Sequence, residues 1–339
     1  MAEEIVTDVA IVGAGPVGMF AVFECGMLRM RSVLIDALSA SGGQCTALYP
    51  EKPIYDIPAH PAISASELIA ALECQIAPFA PARIFGRKVE ALTGEMGNFR
   101  LRIEGDGAVR AKAVILAAGA GAFGPNRPPI AGLASYEATG VVQYYVASRE
   151  SLRGKRVVIA GGGDSAVDWA LALIGIAAEI SVVHRREKFR AAPESAARLA
   201  EAAKGGALAL VVPWQLAGLA GRDGVLEAVE VAGFSGDKRL IPADILLAFF
   251  GLAMDLGPIT HWGLALERHQ LVVDPGTCQT SRPGIFAIGD IASYRGKLKL
   301  ILQGFSEAAL AAHAIHPIVF PGQALHFEYS TTSGVPTLG

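Results

Sequence analysis

The chain has 339 residues, enough for two domains of ordinary size. Charged residues make up 18% and hydrophobic residues 52%, which excludes an intrinsically disordered chain or a coiled coil. Lys and Arg total 29 against 32 Asp and Glu, so the net charge of −3 gives no support to nucleic-acid binding.

The sequence shows no sign of a membrane anchor or a metal site. The longest apolar run, 245–254, is far shorter than the roughly 20 residues of a spanning helix. The first residues are acidic where a signal peptide would be basic. The four cysteines, Cys25, Cys45, Cys74 and Cys278, form neither a Cys-x-x-Cys pair nor a zinc spacing. These features predict a cytoplasmic protein with reduced thiols, no membrane contact and no metal.

The first strong motif is a glycine-rich turn between a predicted strand and a predicted helix. Its residues are Gly13, Gly15, Pro16 and Gly18, and the next apolar strand ends at Asp36. This is the dinucleotide fingerprint in its context of strand, turn, helix and strand. The glycines allow a tight turn, close approach of a pyrophosphate and close helix packing, and the helix N-terminus faces the phosphates. Asp36 is expected to accept hydrogen bonds from a ribose.

The same arrangement returns at 155–186, where the turn contains Gly161, Gly163, Asp164, Ser165 and Ala166. The strand that follows ends in three basic residues, His184, Arg185 and Arg186, with Arg190 on the next turn. A carboxylate at that point would repel a 2′-phosphate, whereas guanidinium groups bind it bidentately. The second turn is therefore predicted to bind NADPH.

A third element supports a flavin. An apolar stretch from Gly284 ends in Gly289 and Asp290, and the stretch 298–314 predicts a helix. An aspartate at the carboxyl end of a parallel strand points into the crevice where dinucleotides bind, so Asp290 is expected to contact FAD. Taken alone, Gly-Asp would be an ordinary turn. Two dinucleotide sites on one chain imply electron transfer between two redox cofactors. FAD and NADPH are the simplest pair that fits both sites.

The motif order predicts an α/β fold of two Rossmann-like dinucleotide-binding domains, with the NADPH domain inserted into the FAD domain. The FAD-binding domain is expected to be discontinuous, at 1–118 and 248–339, and the NADPH-binding domain to span 119–247. Both predicted crossovers contain glycine, which suits a hinge and also simply ends strands. Gly119, at the first crossover, is in addition a predicted FAD contact.

This motif order resembles that of the thioredoxin reductase family of two-domain flavoproteins over nearly the whole chain. In that family a redox Cys-x-x-Cys precedes the second fingerprint. The corresponding window here, 143–146, contains no cysteine. Because disulfide chemistry requires a thiolate pair, the dithiol relay is absent.

More specific matches resemble the thioredoxin-reductase-type ferredoxin–NADP⁺ reductases; they lie at 42–44, 49–52, 54–56, 161–170, 256–264 and 289–297. The resemblance implies a homodimer. It also implies that Gln44 and Thr331 contact FAD, that Tyr49 and Tyr329 stack on the two flavin faces, and that Ser330 or Thr332 lies near flavin N5. Two departures from the family pattern are Cys45, where an apolar residue is common, and Tyr329 in place of His.

The resemblance implies hydride transfer from NADPH to FAD and single-electron transfer to ferredoxin or flavodoxin. Arg295, Lys297 and Lys299 form either a docking patch for such an acidic partner or an ordinary solvated loop. Three other functions remain open at this point. They are an NADPH-dependent flavin reductase or oxidase, a disulfide reductase with an external thiol partner, and a nucleotide sensor without catalysis.

Overall fold

A computed structural model describes residues 4–325 and 334–336. The described chain divides into two compact units, which we call unit 1, up to Phe123 and from Met254 onward, and unit 2, Gly124–Ala253. The boundaries expected from the sequence, 118/119 and 247/248, fall five and six residues earlier. The reason is that the chain passes between the units along two strands, 122–125 and 252–255, rather than at the glycines that precede them.

The helices of the described residues carry the following bounds: α1 (Pro16–Met27), α2 (Gln44–Ala47), α3 (Ala65–Ile76), α4 (Leu133–Ala138), α5 (Asp164–Ala172), α6 (Pro193–Lys204) and α7 (Ile301–Val319). Short 3-10 helices lie at Ala77–Phe79, Glu150–Leu152, Gly257–His261 and Gly289–Ile291. No helix within this part of the chain combines the length and the apolar character that a membrane span requires.

The strands of the described residues are β1 (Glu4–Val12), β2 (Ser32–Asp36), β3 (Pro53–Ile54), β4 (Ile63–Ser64), β5 (Ala82–Phe85), β6 (Val89–Glu95), β7 (Asn98–Ile103), β8 (Gly107–Leu116), β9 (Ala122–Pro125), β10 (Val142–Gln143), β11 (Arg156–Ala160), β12 (Glu179–Val183), β13 (Ala209–Val211), β14 (Trp214–Arg222), β15 (Val225–Gly233), β16 (Lys238–Pro242), β17 (Ile245–Ala248), β18 (Leu252–Asp255), β19 (Leu266–Glu267), β20 (Gln270–Val272), β21 (Ile285–Ala287) and β22 (Ala292–Ser293).

Unit 1 is built on a sheet in the order β5-β2-β1-β8-β7-β6, with β21 also paired to β8. The first four strands are parallel. The first half of β8 pairs antiparallel with β7, and its last residues pair in parallel with β21. As a result, the carboxyl ends of β1, β2, β8 and β21 meet at one edge of the sheet, which is where dinucleotides bind in such folds.

Helices α1, α3 and α7 pack together in the core of unit 1. Helix α3 begins with a capping box, in which the Ser64 hydroxyl accepts from the Glu67 N–H and the Glu67 carboxylate accepts from the Ser64 N–H. Helix α1 instead begins at Pro16 with no side-chain cap. Its first-turn N–H groups therefore have no side-chain acceptor and can donate to a ligand at this edge of the sheet.

Helix α7 differs from the helix expected at 298–314. It begins at Ile301, because Gly296 has a φ of +89° and Leu300 is extended. It ends at Val319, five residues beyond the expected end, and contains Pro317. Proline removes only its own N–H bond to the carbonyl four residues earlier, so a helix can continue for its last residues past one.

Unit 2 contains a second parallel sheet, in the order β10-β17-β11-β12-β13. Strands β14, β15 and β16 form an antiparallel meander in the same unit. The apolar run 245–254 consists of two strands, β17 and β18, separated by residues 249–251. The arrangement β11–α5–β12 with β17 repeats that of β1–α1–β2 with β8, as expected for two Rossmann-like folds.

Candidate dinucleotide sites

The glycine turn of unit 1 has the geometry that its spacing predicts. The Gly13 N–H donates to the Ile35 carbonyl at 2.8 Å, and Gly13 has a φ of +111°. A Cβ on Gly13 would lie 2.3 Å from the Ala117 carbonyl oxygen, and one on Gly18 would lie 1.9 Å from the Gly13 oxygen. No atom lies within 4 Å of a Cβ built on Gly15. Gly13 and Gly18 thus allow tight packing, while Gly15 faces open space.

A cavity of about 570 Å³ opens beside this turn. Most of the predicted FAD contacts line it: Gly13, Gly15, Pro16, Asp36, Gln44, Tyr49, Gly119 and Asp290. Gly18 lies behind the turn, against Gly13. The predicted residues Tyr329, Ser330, Thr331 and Thr332 lie outside the described residues. The volume is in the range of sites that hold a small molecule or cofactor.

Asp36 ends β2 at the rim of the cavity. Its carboxylate accepts the Ala14 N–H at 2.6 Å and the Leu38 N–H at 2.8 Å. Burial raises the pKa of Asp36, and these two hydrogen bonds oppose the shift. A carboxylate oxygen can accept more than one hydrogen bond, so Asp36 is fixed in place and can still accept from a ribose hydroxyl.

Tyr49 and Cys45 form an uncharged wall of the same cavity. Cys45 is 3% exposed, and Tyr49 packs against the core cluster that contains it. Burial raises the pKa of Cys45 to about 11 and also raises the pKa of Tyr49. Both side chains are therefore neutral near pH 7. The Cys45 side chain therefore behaves as a small buried apolar group.

The Gly-Asp element is held by a buried carboxylate. Glu307 of α7 is 1% exposed, and its Oε2 accepts the Gly289 N–H at 2.7 Å. Its Oε1 accepts from the Tyr294 hydroxyl at 2.6 Å and from the Lys297 ammonium. The Gln303 amide donates to the Tyr294 oxygen at 2.7 Å. This network fixes the backbone that carries Asp290 into the cavity, and sequence spacing gave no sign of it.

Lys297 is therefore not part of an exposed basic run. Its side chain is 6% exposed and forms an ion pair with Glu307. Both interpretations of 295–299, the docking patch and the solvated loop, are wrong for this residue. Arg295 and Lys299 are exposed, and Lys299 also lines the rim of the cavity.

Unit 2 repeats the glycine turn. The Gly161 N–H donates to the Val183 carbonyl at 3.0 Å, and a Cβ on Gly161 would lie 2.6 Å from the Phe249 oxygen. A Cβ on Gly163 meets no atom within 4 Å, and Gly163 precedes α5, which has no side-chain cap. Asp164 and Ser165 are exposed in the first turn of α5, and Ala166 is buried beneath it. Asp164 accepts the Ala192 N–H at 2.9 Å.

The basic residues that follow β12 lie beside this turn. The Arg190 N–H donates to the Gly162 carbonyl at 2.6 Å, and Arg185, Arg186 and Arg190 are exposed. The His184 ring packs on Gly162, where a Cβ would lie 2.1 Å from ring carbon Cε1. Burial lowers the pKa of His184, and its Nε2 is buried without a hydrogen-bond partner among the described residues. The exposed guanidinium groups of Arg185, Arg186 and Arg190 could donate hydrogen bonds to a phosphorylated ribose.

Sequence reasoning missed part of the unit 1 cavity wall, made by Arg87, Lys88, Val89, Leu256, Ile259, Trp262 and Leu300. The stretch 256–264 matches the family resemblance, but its residue pattern indicates no role. Residues 87–89 reach the cavity because β5 lies beside β2. Among the described residues, no cluster of His, Cys, Asp and Glu side chains could hold a metal ion.

Comparison with known proteins decides the family. The model of the pyridine nucleotide-disulphide oxidoreductase family matches residues 7–314. A protein of Acidiphilium cryptum named ferredoxin–NADP reductase is 69% identical over 336 residues, covering 99% of each chain. One of the same name from Granulibacter bethesdensis is 69% identical, covering 97% of this chain and 94% of the relative. The chain belongs to the pyridine nucleotide-disulphide oxidoreductase family, in its ferredoxin–NADP reductase branch.

The fold comparison agrees with the family. The crystal structure of Lactococcus lactis thioredoxin reductase is similar, with a TM-score of 0.79 and 24% identity. It covers 92% of this chain, which covers 99% of that one. The expected architecture, two Rossmann-like domains with one inserted into the other, is confirmed.

The buried pair Lys297–Glu307 gives a direct prediction. Lys297→Met leaves a buried carboxylate without its cation, so the free energy of unfolding is expected to fall by about 3–5 kcal/mol. The double variant Lys297→Met/Glu307→Gln buries no net charge and is expected to recover most of that loss. Denaturant unfolding followed by circular dichroism measures both.

Lys238→Met, which removes the exposed partner of Glu230, is the matched control and is expected to cost less than about 1 kcal/mol. A Lys297→Met variant as stable as this control would contradict the assignment of a structural role to the buried pair.

Proposed function

We propose that the chain is an NADPH-dependent flavoprotein reductase that holds FAD in unit 1 and NADPH in unit 2 and passes electrons to ferredoxin or flavodoxin. The observation that carries the proposal is the repeated glycine turn. The same backbone geometry is followed by a carboxylate in unit 1 and by exposed arginines in unit 2. The name ferredoxin–NADP reductase, carried by relatives at 69% identity, supports ferredoxin as the acceptor.

The residues of unit 1 suit FAD. The uncapped start of α1 and the open space at Gly15 would receive the pyrophosphate. Asp36 would accept from a ribose hydroxyl, and Asp290 from hydroxyls of the ribityl chain. Gln44 and Gly119 line the same cavity. Thr331 is proposed as a further contact on the family resemblance alone.

A bound flavin supplies chemistry that side chains lack, since it takes up a hydride and releases its electrons singly. The residues around the flavin orient and shield it. Tyr49 would cover one face with a neutral ring, because its raised pKa keeps the phenol protonated. On the family resemblance, Tyr329 would cover the other face, and Ser330 or Thr332 would lie near N5. These three assignments belong to the proposal.

The residues of unit 2 suit NADPH. The start of α5, with Gly163, Asp164, Ser165 and Ala166, would receive the pyrophosphate, as α1 does in unit 1. Arg185, Arg186 and Arg190 would surround the ribose 2′-phosphate, and the His184 ring beside them has a buried nitrogen without a hydrogen-bond partner among the described residues. Guanidinium groups attract the phosphorylated coenzyme far more than the unphosphorylated one.

A disulfide reductase is disfavoured by the cysteines. The window 143–146 has no cysteine. Three of the four free thiols, those of Cys25, Cys45 and Cys278, are buried. Such free, widely spaced thiols are usual in a reducing compartment, which supports a cytoplasmic location.

The homodimer that the family resemblance implies is part of the proposal, and sedimentation equilibrium tests it.

The coenzyme preference is the first prediction from this proposal. Arg185→Ala/Arg186→Ala removes charge-assisted hydrogen bonds to the 2′-phosphate and is expected to raise KM for NADPH about 10- to 100-fold. KM for NADH is expected to change less than about threefold, because NADH has no 2′-phosphate. Steady-state reduction of ferricyanide with each coenzyme measures both values.

Arg198→Ala on α6 is the matched control, since it removes an exposed arginine of the same unit and is expected to leave both KM values unchanged. An equal loss with NADPH and NADH would show that Arg185 and Arg186 do not contact the 2′-phosphate.

The acceptor is tested by cytochrome c reduction with NADPH, with and without a purified ferredoxin. We expect ferredoxin to raise the rate at least about tenfold, because a one-electron carrier relays electrons from the flavin to cytochrome c. A parallel assay with thioredoxin and a disulfide dye is expected to show no activity. A rate that does not depend on ferredoxin, with peroxide formed, would favour the flavin reductase or oxidase instead.

A further inference from the structure

Residues 184–192 of unit 2, which we call the basic loop, are attached to the glycine turn through Gly162. The His184 ring lies against this glycine, where a Cβ would be 2.1 Å from ring carbon Cε1. The Arg190 N–H donates to the carbonyl of the same glycine at 2.6 Å. The corresponding position of unit 1 is Ala14, so the turn itself does not require a glycine there. The requirement at Gly162 comes from the basic loop that packs on it.

Asp164 supplies a second attachment. Its Oδ1 accepts the Ala192 N–H at 2.9 Å, and Ala192 directly precedes α6. Asp164 is exposed and is the first residue of α5, where the pyrophosphate of a dinucleotide would bind. A carboxylate repels a pyrophosphate, so direct binding of the coenzyme does not explain this residue. Its hydrogen bond to the end of the basic loop gives it a different role.

The basic loop needs such attachments because of its charge. It contains one carboxylate and four cationic side chains. The four cations are exposed, and no ion pair within the described residues involves any of them: Arg185, Arg186, Lys188 and Arg190. Like charges repel one another, so contacts with the glycine turn are required to hold these groups together. A loop that is held before the ligand arrives loses less conformational freedom on binding.

We propose that Gly162 and Asp164 are positioning residues that set the preference for NADPH over NADH. They hold the basic loop beside the start of α5, so that the arginines can reach the 2′-phosphate of a coenzyme whose pyrophosphate lies at the helix N-terminus. This inference rests on the proposed function of unit 2 as the NADPH site. Both residues occupy variable positions of the fingerprint and act through the loop, without a contact to the 2′-phosphate.

Two variants of Asp164 isolate its hydrogen bond. Asp164→Ala and Asp164→Asn both remove the charge, but only asparagine keeps an oxygen that can accept the Ala192 N–H. We expect kcat/KM for NADPH to be about three- to tenfold lower in the alanine variant than in the asparagine variant, as for one lost hydrogen bond. With NADH the two variants are expected to agree, because NADH has no 2′-phosphate. Steady-state reduction of ferricyanide with each coenzyme measures these values.

Gly162→Ala tests the other attachment without turnover. The added Cβ displaces the His184 ring and with it the basic loop. The Kd for adenosine 2′,5′-bisphosphate, measured by isothermal titration of the FAD-loaded protein, is therefore expected to rise about tenfold. The Kd for 5′-AMP is expected to rise less. The matched control is Gly218→Ala in β14, where the atom nearest to a Cβ would lie 3.5 Å away, and it is expected to leave both constants unchanged.

Each attachment has its own contradicting result. Equal kcat/KM for NADPH in the two Asp164 variants would overturn the role of Asp164. An unchanged Kd for the bisphosphate in Gly162→Ala would overturn that of Gly162. Losses of equal size with and without the 2′-phosphate would show a general structural role and would also overturn the inference. Asp164 is exposed, so its variants decide the matter if Gly162→Ala does not fold.

Failure of the proposed function gives a different result. A wild-type chain without a preference for NADPH over NADH would contradict the assignment of unit 2 before any variant is compared. The role of the two attachments fails only if the wild-type chain prefers NADPH and the variants keep that preference.

Discussion

The close approach of two backbone segments at the first glycine of each turn is the constraint on which both sites depend. At Gly13 the oxygen of Ala117 lies 2.3 Å from where a Cβ would be, and at Gly161 the oxygen of Phe249 lies at 2.6 Å. Any side chain there would force apart the central strands of the sheet. The approach brings the uncapped start of α1 or α5 to the carboxyl edge of a parallel sheet, where it can bind a phosphate.

Both sites share this backbone geometry. They differ in the side chains that follow the second strand of each fold, β2 in unit 1 and β12 in unit 2. Asp36 is held by two backbone N–H groups and is suited to a ribose hydroxyl. In unit 2 His184 occupies the equivalent position, and Arg185 and Arg186, which follow it, are suited to a phosphate. On the proposed assignment, two copies of one fold would acquire opposite preferences for a 2′-phosphate through a change of a few side chains. In unit 1, the buried Glu307 adds a further element by fixing the backbone next to Asp290.

Local patterns in the sequence were enough to predict the two Rossmann-like folds and the residues of both glycine turns. Strand β2 ends at Asp36, as predicted, because its apolar run stops there. The start of α7 could not be predicted, since it depends on the loop conformation at Gly296 and Leu300. The burial of Lys297 could not be predicted either, because its partner lies ten residues away on a helix that folds back over the loop.

The wall of the unit 1 cavity could not be predicted from local sequence patterns either. Residues 87–89 and Trp262 come from separate parts of the chain, and only the tertiary structure brings them to the cavity that Asp36 also lines. Motifs that act through backbone geometry can be read from spacing, whereas contacts made by lone side chains depend on tertiary structure.

We propose that one chain carries two separate dinucleotide sites that differ in their preference for a 2′-phosphate. Isothermal titration of the FAD-loaded protein with adenosine 2′,5′-bisphosphate distinguishes the two sites. We expect one binding site per chain, at least about tenfold weaker binding of 5′-AMP, and no release of FAD. Displacement of FAD by the bisphosphate, or equal affinity for 5′-AMP, would show that the sites do not differ in this way.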